Sequence, residues 1–163
     1  MGRRFQNARN AKTVPQVQSN AYADGQVFKK GALVIDNTDG EIVECAADPA
    51  AVLGVALEPA GSKLGYGTAN SDQTTVVTGR LQEASILIAD RDTQFSGRAI
   101  SGGTDPVLPL QTHVGEQYGV AKVGDDWVID MAEAGAAVIE ITDIRPEDNA
   151  FLFKFIESVL ARP

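Results

Sequence analysis

The sequence predicts an all-β protein: a small β-barrel or β-tulip/sandwich body, residues 21–163, preceded by an extended, flexible basic N-terminal arm, residues 1–20. Three observations carry this. Short stretches rich in β-branched and apolar residues recur at roughly even spacing, with few helix signals. The 16 Gly and 7 Pro punctuate them as turns do in β domains. Charge then divides the chain: residues 1–20 hold Arg3, Arg4, Arg9 and Lys12 with no Asp or Glu, a charge of +4, so within a total of −8 the remainder carries −12.

The arm is polar as well as basic, with Gln6, Asn7, Asn10, Gln16, Gln18, Ser19 and Asn20. Such a segment buries too little apolar surface to offset its ordering entropy, so alone it is expected to be mobile. In the body, residues 28–35 read as a strand broken by Gly31, and Asp39-Gly40 turns it into a partner at 41–45. Asp48 precedes Pro49, which predicts an extended or turn-like connector before a strand at 52–57. Residues 58–73 read as a Gly-, Ser- and Asn-rich loop, 74–78 as a β-branched strand and 83–89 as the next. Five Gly and Pro residues within 90–112 predict an extended, exposed excursion. Residues 118–123 and 127–130 form a hairpin around Gly124-Asp125-Asp126, and 136–144 is a long Ile- and Val-rich strand. The alternation of Phe151, Phe153 and Phe155 favours a strand through Ile156, followed by a short irregular or helical tail.

Function classes narrow quickly. No apolar run approaches the length of a membrane span, so no membrane partner is expected. The N-terminus lacks the apolar stretch of a secretory signal, and synthesis in the cytoplasm is expected. A single cysteine, Cys45, excludes an internal disulfide and reads as a small buried hydrophobe. The acidic body argues against nucleic acid as a partner.

The search for chemistry finds little. The one histidine, His113, has no G-x-S-x-G nucleophile elbow to serve, and a Cys45–His113 dyad is disfavoured by the plain strand end at Cys45. Two Cys or His residues cannot build a zinc site, so no metal and no cofactor is expected. Residues 36–47 fail the calcium-loop pattern, having Thr38, Gly40 and Ala47 where ligands belong. Gly61 to Gly67 lacks the Gly-Lys-Ser/Thr of a phosphate loop. Asp125, Asp126 and Asp130 surround Trp127, and acids beside an aromatic ring allow a sugar hydrolase in principle, but turn chemistry explains them more simply. The expectation is a protein that is not an enzyme.

Gln26-Val27-Phe28-Lys29-Lys30-Gly31-Ala32-Leu33-Val34, then Asp39-Gly40, then Ala46-Ala47-Asp48-Pro49-Ala50-Ala51-Val52-Leu53-Gly54-Val55-Ala56 resembles the capsid cement or head decoration proteins of tailed bacteriophages. Val114-Gly115-Glu116-Gln117-Tyr118-Gly119-Val120, Trp127-Val128-Ile129-Asp130 and Ile141-Thr142-Asp143-Ile144 are similar to the second half of that family. The likeness spans most of residues 24–157 and is a pattern of strand and turn residues. It implies a virion protein on the capsid exterior that stabilises an icosahedral head at capsomer junctions. It implies two partners, the major capsid protein and further copies of the chain, a trimer being favoured over a dimer. The arm fits that role: twenty extended residues reach roughly 65 Å, enough to clasp a neighbouring subunit by strand addition or groove binding. Arg3, Arg4, Arg9 and Lys12 would meet acidic surface, Phe5 would anchor, and Val14-Pro15 would hold the chain extended. The competing expectation is a virion tail, spike or glycan-binding β-module using loops 58–73 and 90–112, though these offer only Tyr66 and Phe95 for sugar stacking.

Overall fold

The computed structural model describes residues 6–7, 16–61, 83–133 and 135–161. Among them the chain is all β apart from three single-turn 3-10 helices at Gln111–His113, Pro146–Asp148 and Glu157–Val159. The strands are β1 Gln6–Asn7, β2 Val17–Ala21, β3 Leu33–Asp36, β4 Ile42–Glu44, β5 Gly54–Ala56, β6 Glu83–Ile88, β7 Phe95–Gly97, β8 Ala99–Ile100, β9 Pro106–Val107, β10 Gln117–Val123, β11 Asp126–Asp130, β12 Ile139–Arg145 and β13 Ala150–Phe155. They form an eight-stranded sheet in the order β1-β7-β13-β12-β10-β11-β8-β9 and a five-stranded sheet in the order β2-β6-β5-β3-β4. Both sheets feed one core. Leu33, Val55 and Ile86 of the smaller sheet pack in the same cluster as Ile139, Ile141, Phe151, Phe153 and Phe155 of the larger. Within it the Phe95 ring lies edge-on to Phe155 at 5.1 Å, a favoured aromatic geometry.

Local chemistry explains the elements that the sequence announces. In the β3–β4 hairpin, Asn37 Oδ1 accepts the N–H groups of Asp39 and Glu41, an Asx-type turn that lets Gly40 take φ +78°. The carboxylates that faintly suggested a calcium loop are thus hairpin-turn residues. The β10–β11 hairpin pairs Val123 with Asp126 through Gly124, and Asn149 takes φ +50° to close β12 onto β13. β10 changes partner along its length. Gln117 and Tyr118 pair with β12, whereas Gly119 to Val123 pair with β11. The corner falls at Gly119, where an added Cβ would lie 2.8 Å from Asp48 Oδ1 and 2.9 Å from Glu133 Cβ.

Three expectations need correction. Residues 90–112 are an exposed excursion only in their second half: 93–100 contain β7 and β8, with Thr93 and Phe95 fully buried, whereas 101–112, with β9, are largely exposed. The Gly and Pro residues there separate very short strands rather than mark a loop. The strand expected at 28–35 begins only at Leu33, because Gly31 adopts φ +92° in the turn before it. Residues 17–20, assigned to the arm, are strand β2, paired with β6 from Val17↔Leu87 to Ala21↔Glu83. The strand expected at 74–78 and most of the loop at 58–73 lie outside the described residues.

Asp48 takes φ +48° and docks on β10, its N–H donating to Val120 O at 3.3 Å and its Oδ1 accepting Val120 N–H at 3.2 Å. The side chain thereby completes a pairing that a connector otherwise lacks. Asp48→Ala is expected to destabilise the fold by about 2 kcal/mol, combining a lost acceptor with an unrelieved left-handed backbone. Asp48→Asn, which keeps the acceptor and tolerates that backbone, should recover most of the loss in urea unfolding.

Candidate functional site: the N-terminal segment and the edge it follows

The residues expected to grip a partner, Arg3, Arg4, Phe5, Arg9, Lys12, Val14 and Pro15, lie outside the described residues. Two segments next to them are placed, one between Phe5 and Arg9 and one after Pro15. Upstream, Gln6 and Asn7 pair antiparallel with Ser96 and Phe95, capping the β7 edge of the eight-stranded sheet. Downstream, Gln16 O accepts the Ile88 N–H at 2.9 Å, and Val17–Ala21 continues along β6 at the edge of the five-stranded sheet. Both pairings run in the same antiparallel sense against one continuous stretch, 83–97, which itself passes from one sheet to the other. Between Asn7↔Phe95 and Val17↔Leu87 the chain runs nine residues on one side and seven on the other, so the two pairings differ in register by two. The described parts of the N-terminal segment, Gln6–Asn7 and Val17–Ala21, are therefore each paired along the edge of a different sheet.

The template is strand edge rather than pocket. Its recognition currency is the main-chain N–H and C=O row that an edge strand leaves open. β2 alternates exposed and half-buried residues, as an edge strand over a core should. Ser19 Oγ donates to Glu83 Oε2 at 3.1 Å and fixes the register at its C-terminal end.

The body behind this edge is tied together by a charged cross-link between the sheets. Glu44 of β4 accepts the Trp127 indole N–H at 3.0 Å and the Lys122 ammonium at 2.8 Å. Lys122 and Trp127 are directly opposed across the β10–β11 hairpin, so one carboxylate clamps both strands. Lys29 adds a second tie to the turn through Asp125 at 2.7 Å, and that ammonium lowers the Asp125 carboxyl below its ordinary range. These contacts also account for two of the three acids around Trp127. Asp125 serves Lys29, Asp130 accepts the Ala132 N–H at 3.0 Å within its own turn, and the indole N–H goes to Glu44.

Cys45 and His113 each have other company. The Cys45 thiol is buried and directed at Ala51 O, 3.8 Å away. His113 Nδ1 accepts the Leu110 N–H at 3.2 Å, and its ring packs on Phe151. Burial, aided by the Glu44 carboxylate, pushes the Cys45 thiol up to about 12. In the native state this thiol should resist Ellman's reagent at pH 8 and react only on unfolding. Its linkage has a definite sign. The unfolded thiol ionises near its ordinary value of 9.0 while the folded one holds its proton, so its contribution is intact below pH 9 and is lost as pH rises from 9 towards 12. Cys45→Ala should flatten that stretch of the stability–pH curve, whatever it does to stability at pH 7. Among the described residues no cluster of three or more His, Cys, Asp or Glu side chains is arranged to hold a metal ion.

Comparison with family models, with characterised proteins and with solved structures finds no match for this chain. The reading of its role therefore rests on the residues and their arrangement. Sequence reasoning missed the acceptor half of the site, residues 95–97, because a three-residue strand between Gly and Pro signals has too short a period to detect. Phe95 beside Gly97 was the one usable clue.

Proposed function

We propose that this chain is a non-enzymatic capsid cement or head decoration protein. It binds the outside of an icosahedral bacteriophage head where capsomers meet, and its N-terminal arm clasps neighbouring subunits. The observation that carries the reading is the N-terminal segment itself: a +4 stretch in which Arg9 and Lys12 lie between two segments in strand pairing and Arg3 and Arg4 precede the first, attached to a body of charge −12. Strand addition supplies affinity through main-chain hydrogen bonds, and the cations supply attraction to acidic surface. The partners are the major capsid protein and further copies of the chain, and the resemblance favours a trimer. In such an oligomer, weak arms act together through effective concentration. The sheet-to-sheet ties at Glu44 and Asp125 suit a body that transmits load rather than one that opens around a substrate.

The test is co-sedimentation with emptied phage heads, comparing the full chain with one beginning at Gln16. Loss of binding on truncation supports the reading. Retained binding moves the grip to the body, and no binding by either chain removes it.

A further inference from the structure

We propose that the Leu108-Pro109-Leu110 ridge is the contact through which the chain associates with a second copy of itself. This rests on the homo-oligomer of the reading above and names the surface that makes it. Leu108 and Leu110 are 64% and 57% exposed, two of four large apolar side chains so placed among the described residues. Between them Pro109 is buried and anchors the ridge. The segment is braced, not loose. The Leu110 N–H is held by His113 Nδ1 at 3.2 Å, the His113 N–H returns to Leu110 O at 3.0 Å, and the imidazole packs on the fully buried Phe151 with ring centres 5.6 Å apart. A chain that spends a proline, a histidine and a core phenylalanine to hold two leucines in water has a rigid, preorganised anchor, the form that interface hot spots take.

Charge identifies the occupant. Residues 106–115 form the longest run in 21–163 without Asp, Glu, Lys or Arg, in a body that carries −12. Two such bodies of like net charge repel, so an uncharged exposed segment is a place where they can approach. A basic partner would find no carboxylate on the ridge itself, the nearest in sequence being Asp105 and Glu116 at its two ends. The mode follows as well. β9 is the outer strand of the eight-stranded sheet, but Pro106 removes one of its donors, so sheet-to-sheet extension is blunted and side-chain packing is left. The two leucines form the centre of the contact, and the neighbouring exposed Gln111 and Thr112 supply a polar rim.

The experiment is light scattering on the eluting full-length protein, comparing wild type with Leu108→Ser/Leu110→Ser and with a control, Val17→Ser/Val27→Ser, which alters the other two exposed apolar residues. Cys45 protection from Ellman's reagent and the thermal midpoint verify that each variant is folded. The expected result is a wild-type mass that is a multiple of 17.2 kDa, kept by the control, with the ridge variant dissociating about tenfold or more readily towards monomer. A monomeric wild type, or a folded ridge variant whose mass matches wild type at every concentration, overturns the proposal. Head binding is scored separately. An oligomer that dissolves on ridge substitution without ever binding heads sinks the capsid reading and leaves this one standing. Binding to heads by a protein whose oligomer ignores the ridge does the reverse.

Discussion

A chain beginning at Gln16 should remain folded and lose affinity for phage heads by about a hundredfold or more, the scale on which linked weak contacts multiply. Its stability should stay within about 1 kcal/mol of the full chain. Among the described residues it loses only the two-residue pairing of Gln6 and Asn7 with β7, and it keeps the pairing of β2 with β6. Placement of the cut decides whether the experiment can be interpreted. A chain beginning at Tyr22, closer to the boundary that composition suggests, removes β2 as well. That strips five residue pairs from β6 and opens the edge over Ile86 and Leu87, both nearly inaccessible in the intact protein. At roughly 1 kcal/mol per ladder hydrogen bond, plus the newly wetted apolar surface, the cost is about 3–5 kcal/mol. Loss of head binding by that shorter chain would report unfolding as readily as loss of the arm. Urea midpoints of the two truncations, measured beside sedimentation, separate the effects. If the chain from Gln16 unfolds as early as the chain from Tyr22, the residues before Gln16 support the body and are not a free clasp.

Gly54→Ala should be the most damaging single methyl group that can be added to the described part of the body. The new Cβ would lie 2.2 Å from the Leu87 carbonyl oxygen and 2.8 Å from Ile86 Cγ2. The first neighbour is backbone in the adjacent strand, paired at Gly54↔Ile88 and Val55↔Leu87, and it cannot rotate away. Relief requires β5 and β6 to separate, which breaks the ladder at the centre of the five-stranded sheet. The expected loss is about 3 kcal/mol or more, at the upper end of overpacking costs, with most of the protein insoluble on expression. Gly40→Ala is the matched control. Its Cβ meets nothing within 4 Å, so only the φ of +78° opposes it, a cost of about 1–2 kcal/mol. Equal midpoints for the two variants in urea unfolding would show that β5 and β6 are less tightly apposed than this geometry requires.

How much of this was legible in the sequence depends on where each element draws its stability. The β10–β11 hairpin announces itself because Gly124-Asp125-Asp126 is turn chemistry between apolar runs, and β13 because its phenylalanines alternate. These segments carry their own signal. β2 does not: Val-Gln-Ser-Asn-Ala is polar, and only the open edge of β6, more than sixty residues away in sequence, makes it a strand. β7 to β9 hide for a related reason. They are two or three residues long, and the burial of Thr93 and Phe95 is imposed by the surrounding sheets rather than by local pattern. Of the candidate site, the cations and Phe5 could be read from composition, whereas the edge that flanking residues follow could not, since an edge is made by pairing and has no composition of its own. The leucine ridge was hidden inside a Pro-rich run that reads as ordinary loop.

The isolated bridge between Val52 and Leu160 has a bearing on how the protein is made. Val52 donates its N–H to Val159 O at 2.6 Å and accepts the Ala161 N–H at 3.0 Å, so a residue entering β5 is stitched to the far end of the described chain. β2 likewise waits for β6, and Glu44 waits for Lys122 and Trp127. The first part of the protein is completed by residues that leave the ribosome much later, so the early strands emerge with their partners not yet synthesised. Folding of this kind is dominated by distant contacts and is correspondingly slow. It also works as a form of proofreading. A polypeptide that stops before β6 has nothing to hold β2, and one that stops before β10 and β11 lacks the partners of Glu44, so neither presents its N-terminal segment from a completed body. Chains cut short of β11 would lack that base.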